Sequence, residues 1–481
     1  MRHADIIARA LADAGCRHAF GIPGGEVLTI IDALRLAGID FQLTKHENFA
    51  GFMAEGTWHA TGAPGILVAT IGPGVANAVN VIANAEQDRV PLIVLTGCVD
   101  GADADTYTHQ VIDHQALLRP VVKATFRAEG KSLPQVMEKA LALATSGQPG
   151  PVHIDLPIKV AAGDAGAVAP RAPAPAAAAR PGEGPQLERA RALLAGAKRP
   201  VAIAGVDALN DGASDELKRL VETLKIPLIT TYKAKGMVDE NAELCLGGAG
   251  LSPVADRHLL PLLAEADLIL LIGYDPIEMR VGWREPWPSD ANVIDITPVV
   301  RTHGMHAVSL TLMGSVTATL SALMDGVRPS DTWPGGEPGK ARQALVEAFA
   351  AEPEGWGPAT AFHTLCDTLP AGTVITADSG AHRILLSQVW RCSAPRTLLQ
   401  SSAFCTMGCA VALAAGHKKG APDTPVMAFV GDAGLEMTLG DLASVRDLGL
   451  AVPITVLVDD SLALIEMKQR GSQLANVGVD F

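Results

Sequence analysis

Short, unbroken apolar runs alternate with helical patterns along this chain. Near the start, FQLTK (41–45), GILVAT (65–70) and PLIVLTG (91–97) read as strands, and the stretches 48–62 and 76–87 between them have helical periodicity. Further on, PVAIAG (200–205), PLITT (227–231) and LILLIG (268–273) repeat the pattern, followed by TVITAD (373–378), PVMAFVGD (425–432) and PITVLVDD (453–460). Runs apolar on both faces are what buried parallel strands require, and strand–helix alternation predicts parallel sheets covered by helices on both faces. Such sheets bind ligands beyond the carboxyl ends of their strands. The first residues, MRHADIIARALADAG, predict an amphipathic helix and lack the continuous apolar region of a signal peptide.

Two segments break the pattern. Residues 161–185 are almost entirely Ala, Pro and Gly, and residues 326–340 read GVRPSDTWPGGEPGK. Both are expected to be linkers. They divide the 481 residues into blocks 1–160, 186–325 and 341–481.

Composition narrows the function. The chain is 48% hydrophobic and 19% charged, as expected of a globular protein with large cores. A net charge of −14 argues against nucleic acid as the partner, and no stretch is long and apolar enough to predict a membrane span. The seven scattered cysteines are expected to be buried thiols in a reducing compartment, and the expected location is cytoplasmic.

Candidate chemistry lies at strand ends. PVMAFVGD runs into Gly431-Asp432-Ala433-Gly434, and a helix is expected immediately after, over 435–449. A turn of small residues at a helix start leaves amides free to face an anion. The next strand ends at Asp459-Asp460-Ser461, one strand–helix–strand unit further on. Two carboxylates beside a phosphate-binding turn suit Mg²⁺, which takes oxygen ligands from carboxylates and substrate phosphates. In the first block, a strand ends in His46-Glu47, at the start of the next helix.

These segments resemble the thiamine diphosphate enzymes, the acetolactate synthases in particular. The resemblance implies three doubly wound α/β domains with parallel sheets, in the order pyrimidine-binding, central and diphosphate-binding. Gly431 to Gly434 resembles the opening of the cofactor motif, with Ala433 where the family has a second Gly, and Val458-Asp459 replaces the closing Asn-Asn. The implied ligands of Mg²⁺ are Asp432, Asp459 and the carbonyl of Ser461. Gly380-Ala381-His382 matches a segment that contacts the diphosphate. Thr406-Met407-Gly408 resembles the stretch whose Met wedges between the cofactor's rings. His46-Glu47, Gly72-Pro73-Gly74 and Asn77 fall in order for the pyrimidine site. There Glu47 would hydrogen-bond the aminopyrimidine and promote the tautomer that removes the thiazolium C2 proton. Gln110 matches an active-site Gln, and His109, with His114 nearby, is a candidate acid–base group.

In the central block, Thr230-Thr231 and Lys235-Gly236 match the family pattern, as does Arg280. Gly248-Ala249-Gly250 replaces a substrate-lining Met-His-Gly, which leaves FAD open. Relatives usually continue beyond Phe481, so the third block is expected to be short at its C-terminal end. The resemblance implies a decarboxylase or carboligase acting on a small 2-oxo acid, as a homodimer or homotetramer with active sites between chains. Two alternatives stay open: a lyase or hydrolase on another ketone or acyl substrate, and a non-catalytic cofactor-binding homologue. A Rossmann dehydrogenase is disfavoured because no strand is followed by G-x-G-x-x-G.

Overall fold

Three parallel sheets carry the chain in a computed structural model that describes residues 1–166 and 179–481. The first has six strands: β1 (His18–Gly21), β2 (Asp40–Leu43), β3 (Gly65–Ala69), β4 (Leu92–Cys98), β5 (Ala124–Arg127) and β6 (Pro151–Pro157), in the order β2-β1-β3-β4-β6-β5. Every pair is parallel. All residues of β3 and β4 are buried, as their uninterrupted apolar runs require. So are those of β6, although it carries His153 and Asp155.

The second sheet also has six strands: β7 (Pro200–Ala204), β8 (Leu228–Thr231), β9 (Cys245–Ala249), β10 (Leu268–Ile272), β11 (Asn292–Thr297) and β12 (Leu310–Met313), ordered β12-β11-β10-β7-β8-β9. The third has four: β13 (Val374–Ala377), β14 (Leu398–Gln400), β15 (Val426–Gly431) and β16 (Ile454–Leu457), ordered β14-β13-β15-β16. The chain folds into two compact units. One holds the first sheet with Ile375–Ser379 and Ala403–Phe481, and the other holds the second sheet with Gly380–Ser402.

In the first unit, the Glu47–Thr61 helix packs on the Ala410–Gly420 helix at backbone distance. A Cβ added at Gly416 would lie 2.0 Å from the Met53 carbonyl, and one at Gly56 would lie 2.4 Å from the Leu413 carbonyl. Only glycine permits that approach. Hydrogen bonds reinforce it. The Lys45 amide donates to Asp441 at 2.8 Å, the Ala403 amide to Asp88 at 2.9 Å, and Thr406 Oγ1 to Asn80 Oδ1 at 3.0 Å.

The structure corrects three expectations. The helix expected over 435–449 is broken. It starts at Asp432 and stops at Glu436, a 3₁₀ turn spans Leu439–Asp441, and a second helix runs Leu442–Asp447. The break comes where Met437 and Leu439 face solvent and Asp441 turns its carboxylate to the Lys45 amide. Strand β16, expected to be buried, is only half-buried because it is the sheet's outer strand. Not all cysteines are interior: Cys405 is exposed and Cys366 half-buried.

Of the first expected linker, residues 167–178 lie outside the described residues. Before them Ala161 is buried and Asp164 bridges to Arg2, and the next helix begins at Pro185. In the second, Trp333 is buried. Its amide donates to the Lys198 carbonyl and its Nε1 to the Pro200 carbonyl, both at 2.8 Å, which fastens the segment to the start of β7. Among the described residues no helix is long and apolar enough to cross a membrane.

Candidate active site

Glu47 opens the helix that follows β2, with His46 as N-cap; the ring accepts from the Asn48 amide at 3.1 Å. Glu47 is only 4% exposed, a rare state for a carboxylate without a partner. Its partner is Asn77, whose Nδ2 donates to Glu47 Oε2 at 3.0 Å. Asn77 sits in the first turns of the Pro73–Gln87 helix, which starts from Gly72 with Pro73 at its first position. A Cβ on Gly74 would lie 3.2 Å from Glu47 Oε1, so a small residue keeps the second carboxylate oxygen uncovered on that side. Gly72 has φ +65° and ψ −102°, a backbone state for glycine, and a Cβ there would lie 2.3 Å from the Gln110 carbonyl. The structure therefore gathers Glu47, Gly72, Gly74, Asn77 and the backbone of Gln110.

His109 is placed differently. It is exposed, on a loop with no regular structure, and its ring meets Tyr107 edge-on at 6.4 Å. The Gln110 side chain is exposed too, with φ +60°.

At the third sheet, Asp432 follows β15. Its Oδ1 accepts from the Ala433 amide at 2.9 Å, and its Oδ2 accepts from the Asp459 and Asp460 amides at 3.0 and 2.8 Å. Burial alone would raise the Asp432 pKa, but these amides outweigh it and hold the carboxyl below its ordinary value. The same bonds draw the loop after β16 against Asp432, with Asp460 in the left-handed region at φ +53°. Burial, and then the charge of Asp432, raises the Asp459 pKa. A carboxylate has about four acceptor positions, so Asp432 keeps capacity for a cation. Among the described residues no three His, Cys, Asp or Glu side chains are clustered as metal ligands.

Asp378, at the end of β13, stood in the sequence only as a strand end. It is 0% exposed, and its carboxylate accepts from the Gly408 and Cys409 amides, both at 2.8 Å. A Cβ on Gly434 would lie 2.0 Å from Asp378 Oδ2. Asp378 thus ties the turn after Thr406-Met407 to the turn Gly431–Gly434. The tie rests on side-chain direction, which spacing does not encode. Thr406 is buried and Met407 half-buried. Gly380 is the N-cap of the Ala381–Val389 helix, with Ala381 exposed and His382 half-buried.

In the second unit Lys235 and Gly236 serve packing. The Lys235 ammonium is buried against Glu240 at 2.7 Å, and Glu240 also accepts from the Cys392 amide at 2.7 Å. Gly236 passes so close to Ala394 that a Cβ would lie 2.1 Å from its carbonyl. Gln388 Nε2 donates to the Gly248 carbonyl at 2.8 Å.

Residues of β10, β11 and β12 border a cavity of about 200 Å³ lined in part by Tyr274, Asp295, Arg301, His303 and His306. Arg301 faces Asp207 at 3.1 Å, Asp295 at 3.9 Å and Asp275 at 4.0 Å. Burial, with Asp207 and Asp275 nearby, pushes Asp295 up from 3.8 to about 6 against the opposing pull of Arg301. A raised carboxyl pKa means the folded chain binds the proton more tightly than the unfolded chain. Stability from this group is greatest below 3.8 and is lost as pH rises through about 6. Asp295→Asn is therefore expected to raise the melting temperature at pH 7.5, with a gain on the order of 2–3 kcal/mol that shrinks toward pH 4.5. A pH-independent change in melting temperature would show that ionisation of Asp295 is not the cause.

Among known proteins, residues 1–117 match the thiamine pyrophosphate enzyme N-terminal TPP binding domain, residues 187–323 the central domain, and residues 378–478 the C-terminal TPP binding domain. A probable acetolactate synthase large subunit of Methanocaldococcus jannaschii is 30% identical over 98% of this chain and 82% of its own. The acetolactate synthase isozyme 3 large subunit of Escherichia coli is 30% identical over 97% of this chain and 83% of its own. A probable 2-ketoarginine decarboxylase of Pseudomonas aeruginosa, AruI, is 32% identical over 98% of this chain and 85% of its own.

Proposed function

The chain belongs to the thiamine pyrophosphate enzyme family, as an enzyme of the acetolactate synthase type that makes or breaks carbon–carbon bonds, and from that premise we propose that it is a thiamine diphosphate- and Mg²⁺-dependent decarboxylase or carboligase acting on a 2-oxo acid. One observation carries the reading: a buried carboxylate, Glu47, held by Asn77 beside the Gly72–Pro73–Gly74 turn.

The residues present fit the cofactor. Thiamine diphosphate supplies the carbon nucleophile and the electron sink for 2-oxo acid chemistry. Glu47 would share a proton with the aminopyrimidine ring nitrogen, a task suited to a carboxylate next to a weak base. Asp432, Asp459 and the Ser461 carbonyl would hold Mg²⁺, and the Gly431–Gly434 turn would face the diphosphate. By family position, Gly380, Ala381 and His382 would contact the diphosphate as well. Thr406 and Met407, braced by Asp378, would set the cofactor's bend. Gln110 would face the substrate, with His109 as an acid–base group on the same loop.

The central strand ends argue against flavin. A dinucleotide's diphosphate needs amides or cations there. Here Asp207, Asp275 and Asp295 stand around Arg301.

A second reading, decarboxylation without ligation, is favoured by the similarity to a probable 2-ketoarginine decarboxylase. A panel of 2-oxo acids decides between the two. It would run from pyruvate to chains ending in a cationic group, each with thiamine diphosphate and Mg²⁺. CO₂ release matched by a 2-hydroxy-ketone product supports ligation, and CO₂ matched by free aldehyde supports the second reading. No cofactor-dependent CO₂ from any member would overturn both and leave a lyase or hydrolase on another ketone or acyl substrate, or a non-catalytic homologue.

A further inference from the structure

The first sheet buries a chain of polar groups that ends at the Gly72–Pro73–Gly74 turn. The Gly72 amide lies 3.1 Å from His114 Nε2, and His114 Nδ1 lies 3.0 Å from Asp155 Oδ1. Both side chains are buried. Thr96 Oγ1 donates to Asp155 Oδ1 at 2.8 Å and lies 2.7 Å from His153 Nε2, while His153 Nδ1 lies 2.7 Å from Thr125 Oγ1.

The ends of this chain dictate where its protons sit. A backbone amide can only donate and an ionised carboxylate can only accept. Burial would raise the Asp155 pKa, but the hydrogen bond from His114 and the neighbouring His153 outweigh it, so Asp155 lies below its ordinary value and is ionised at neutral pH. His114 must then carry its proton on Nδ1 and present a bare Nε2 to Gly72. Thr96 spends its one proton on Asp155, so His153 donates from Nε2 and accepts at Nδ1 from Thr125. That requires a neutral His153, and burial pushes its pKa down to about 4.

The last link meets the candidate site. Gly72 holds a positive φ of +65° under the Gln110 carbonyl, Pro73 offers no N–H, and Gly74 borders Glu47. His114 is the acceptor for the only amide that can fasten the first two residues of this turn.

We propose that His114, held by Asp155 as the Nδ1–H tautomer, is a positioning residue that fixes the Gly72–Pro73–Gly74 turn against Glu47 and beneath the Gln110 loop. The proposal rests on Glu47 being the activating carboxylate. His114 touches neither cofactor nor substrate; it acts through Gly72. Losing it leaves a buried amide without an acceptor and lets the turn relax away from Glu47.

Two measurements test this. In the cofactor-free protein with ¹⁵N-labelled histidine, assigned by difference against His114→Gln, the His114 signals at neutral pH should show a protonated Nδ1 and an unprotonated Nε2. A protonated Nε2 would overturn the proposal. In the loaded protein at saturating thiamine diphosphate and Mg²⁺, His114→Leu should slow cofactor C2 proton exchange roughly 10- to 100-fold. His114→Gln, whose Oε1 can accept from Gly72, should recover most of that loss. Exchange at the wild-type rate in His114→Leu overturns the proposal. If the Leu variant does not fold, the Gln variant carries the kinetic test, and a folded Gln variant with exchange slowed about 10-fold or more (the lower end of the same range) overturns it. Glu47→Gln run alongside separates the failures. Unchanged exchange there removes the underlying reading, whereas slow exchange there with fast exchange in His114→Leu removes only the role of His114.

Discussion

Glu47→Gln is expected to slow C2 proton exchange of the bound cofactor by roughly 10²–10⁴-fold, the usual scale of a lost general acid–base group. The substitution keeps size and hydrogen-bonding capacity, so Asn77 retains a carbonyl acceptor and the helix start should persist. What disappears is the negative charge that allows the side chain to share a proton with the pyrimidine. Cofactor affinity should change little, because Asp432, Asp459 and the Gly431–Gly434 turn, which would hold the metal and diphosphate, are untouched. The loss should therefore fall on turnover rather than on binding. Exchange can be followed by NMR after acid quench, in wild type and variant. Equal rates would reduce Glu47 to a helix-end residue attracted by the dipole, and the proposed chemistry would fall with it.

Asp432→Ala is expected to abolish thiamine diphosphate binding measured by calorimetry in Mg²⁺. It would remove a proposed carboxylate ligand, and it removes the acceptor that holds the Asp459 and Asp460 amides. Unchanged affinity would refute the metal site. The two dead variants together address the assembly. We propose, from the family resemblance, a two-fold oligomer whose sites join the first domain of one chain to the third domain of another. Coexpressed Glu47→Gln and Asp432→Ala chains would then form mixed dimers with one site intact, giving about a quarter of wild-type activity at equal, random pairing. The competing arrangement is within one chain, where Asn77 reaches Glu47 and Asn80 receives Thr406 from the same helix. In that arrangement every mixed dimer has two broken sites, and coexpression restores nothing.

Local chemistry made much of this protein legible from its sequence. Apolar runs such as GILVA and LIVL can only be strands buried on both faces, and the helical stretches between them force parallel connections. Strand ends then pointed to Glu47, Asp432 and Asp459, because a parallel sheet brings its functional groups to one edge. Strands such as β6 and β11 escaped notice because His153, Asp155 and Asp295 interrupt their apolar pattern, and short ones such as β14 carry too few residues to show a period.

Tertiary structure decided what each of these groups can do. Asp378 reads as one more strand end, yet its burial under the Gly408 and Cys409 amides makes it the brace between two turns that spacing along the chain does not relate. His114 reads as a neighbour of Gln110, yet its ring is turned inward to Asp155 while His109, the candidate chosen from the sequence, faces solvent. Thr-Thr and Lys-Gly of the central block match a family pattern, yet Lys235 is spent on a buried ion pair with Glu240. Periodicity records which face of an element is apolar, and that is a property of neighbours along the chain. Which way a buried polar side chain points, and what it finds there, depends on groups brought together from distant segments, because a polar atom shut off from water must take whatever partner the packing supplies.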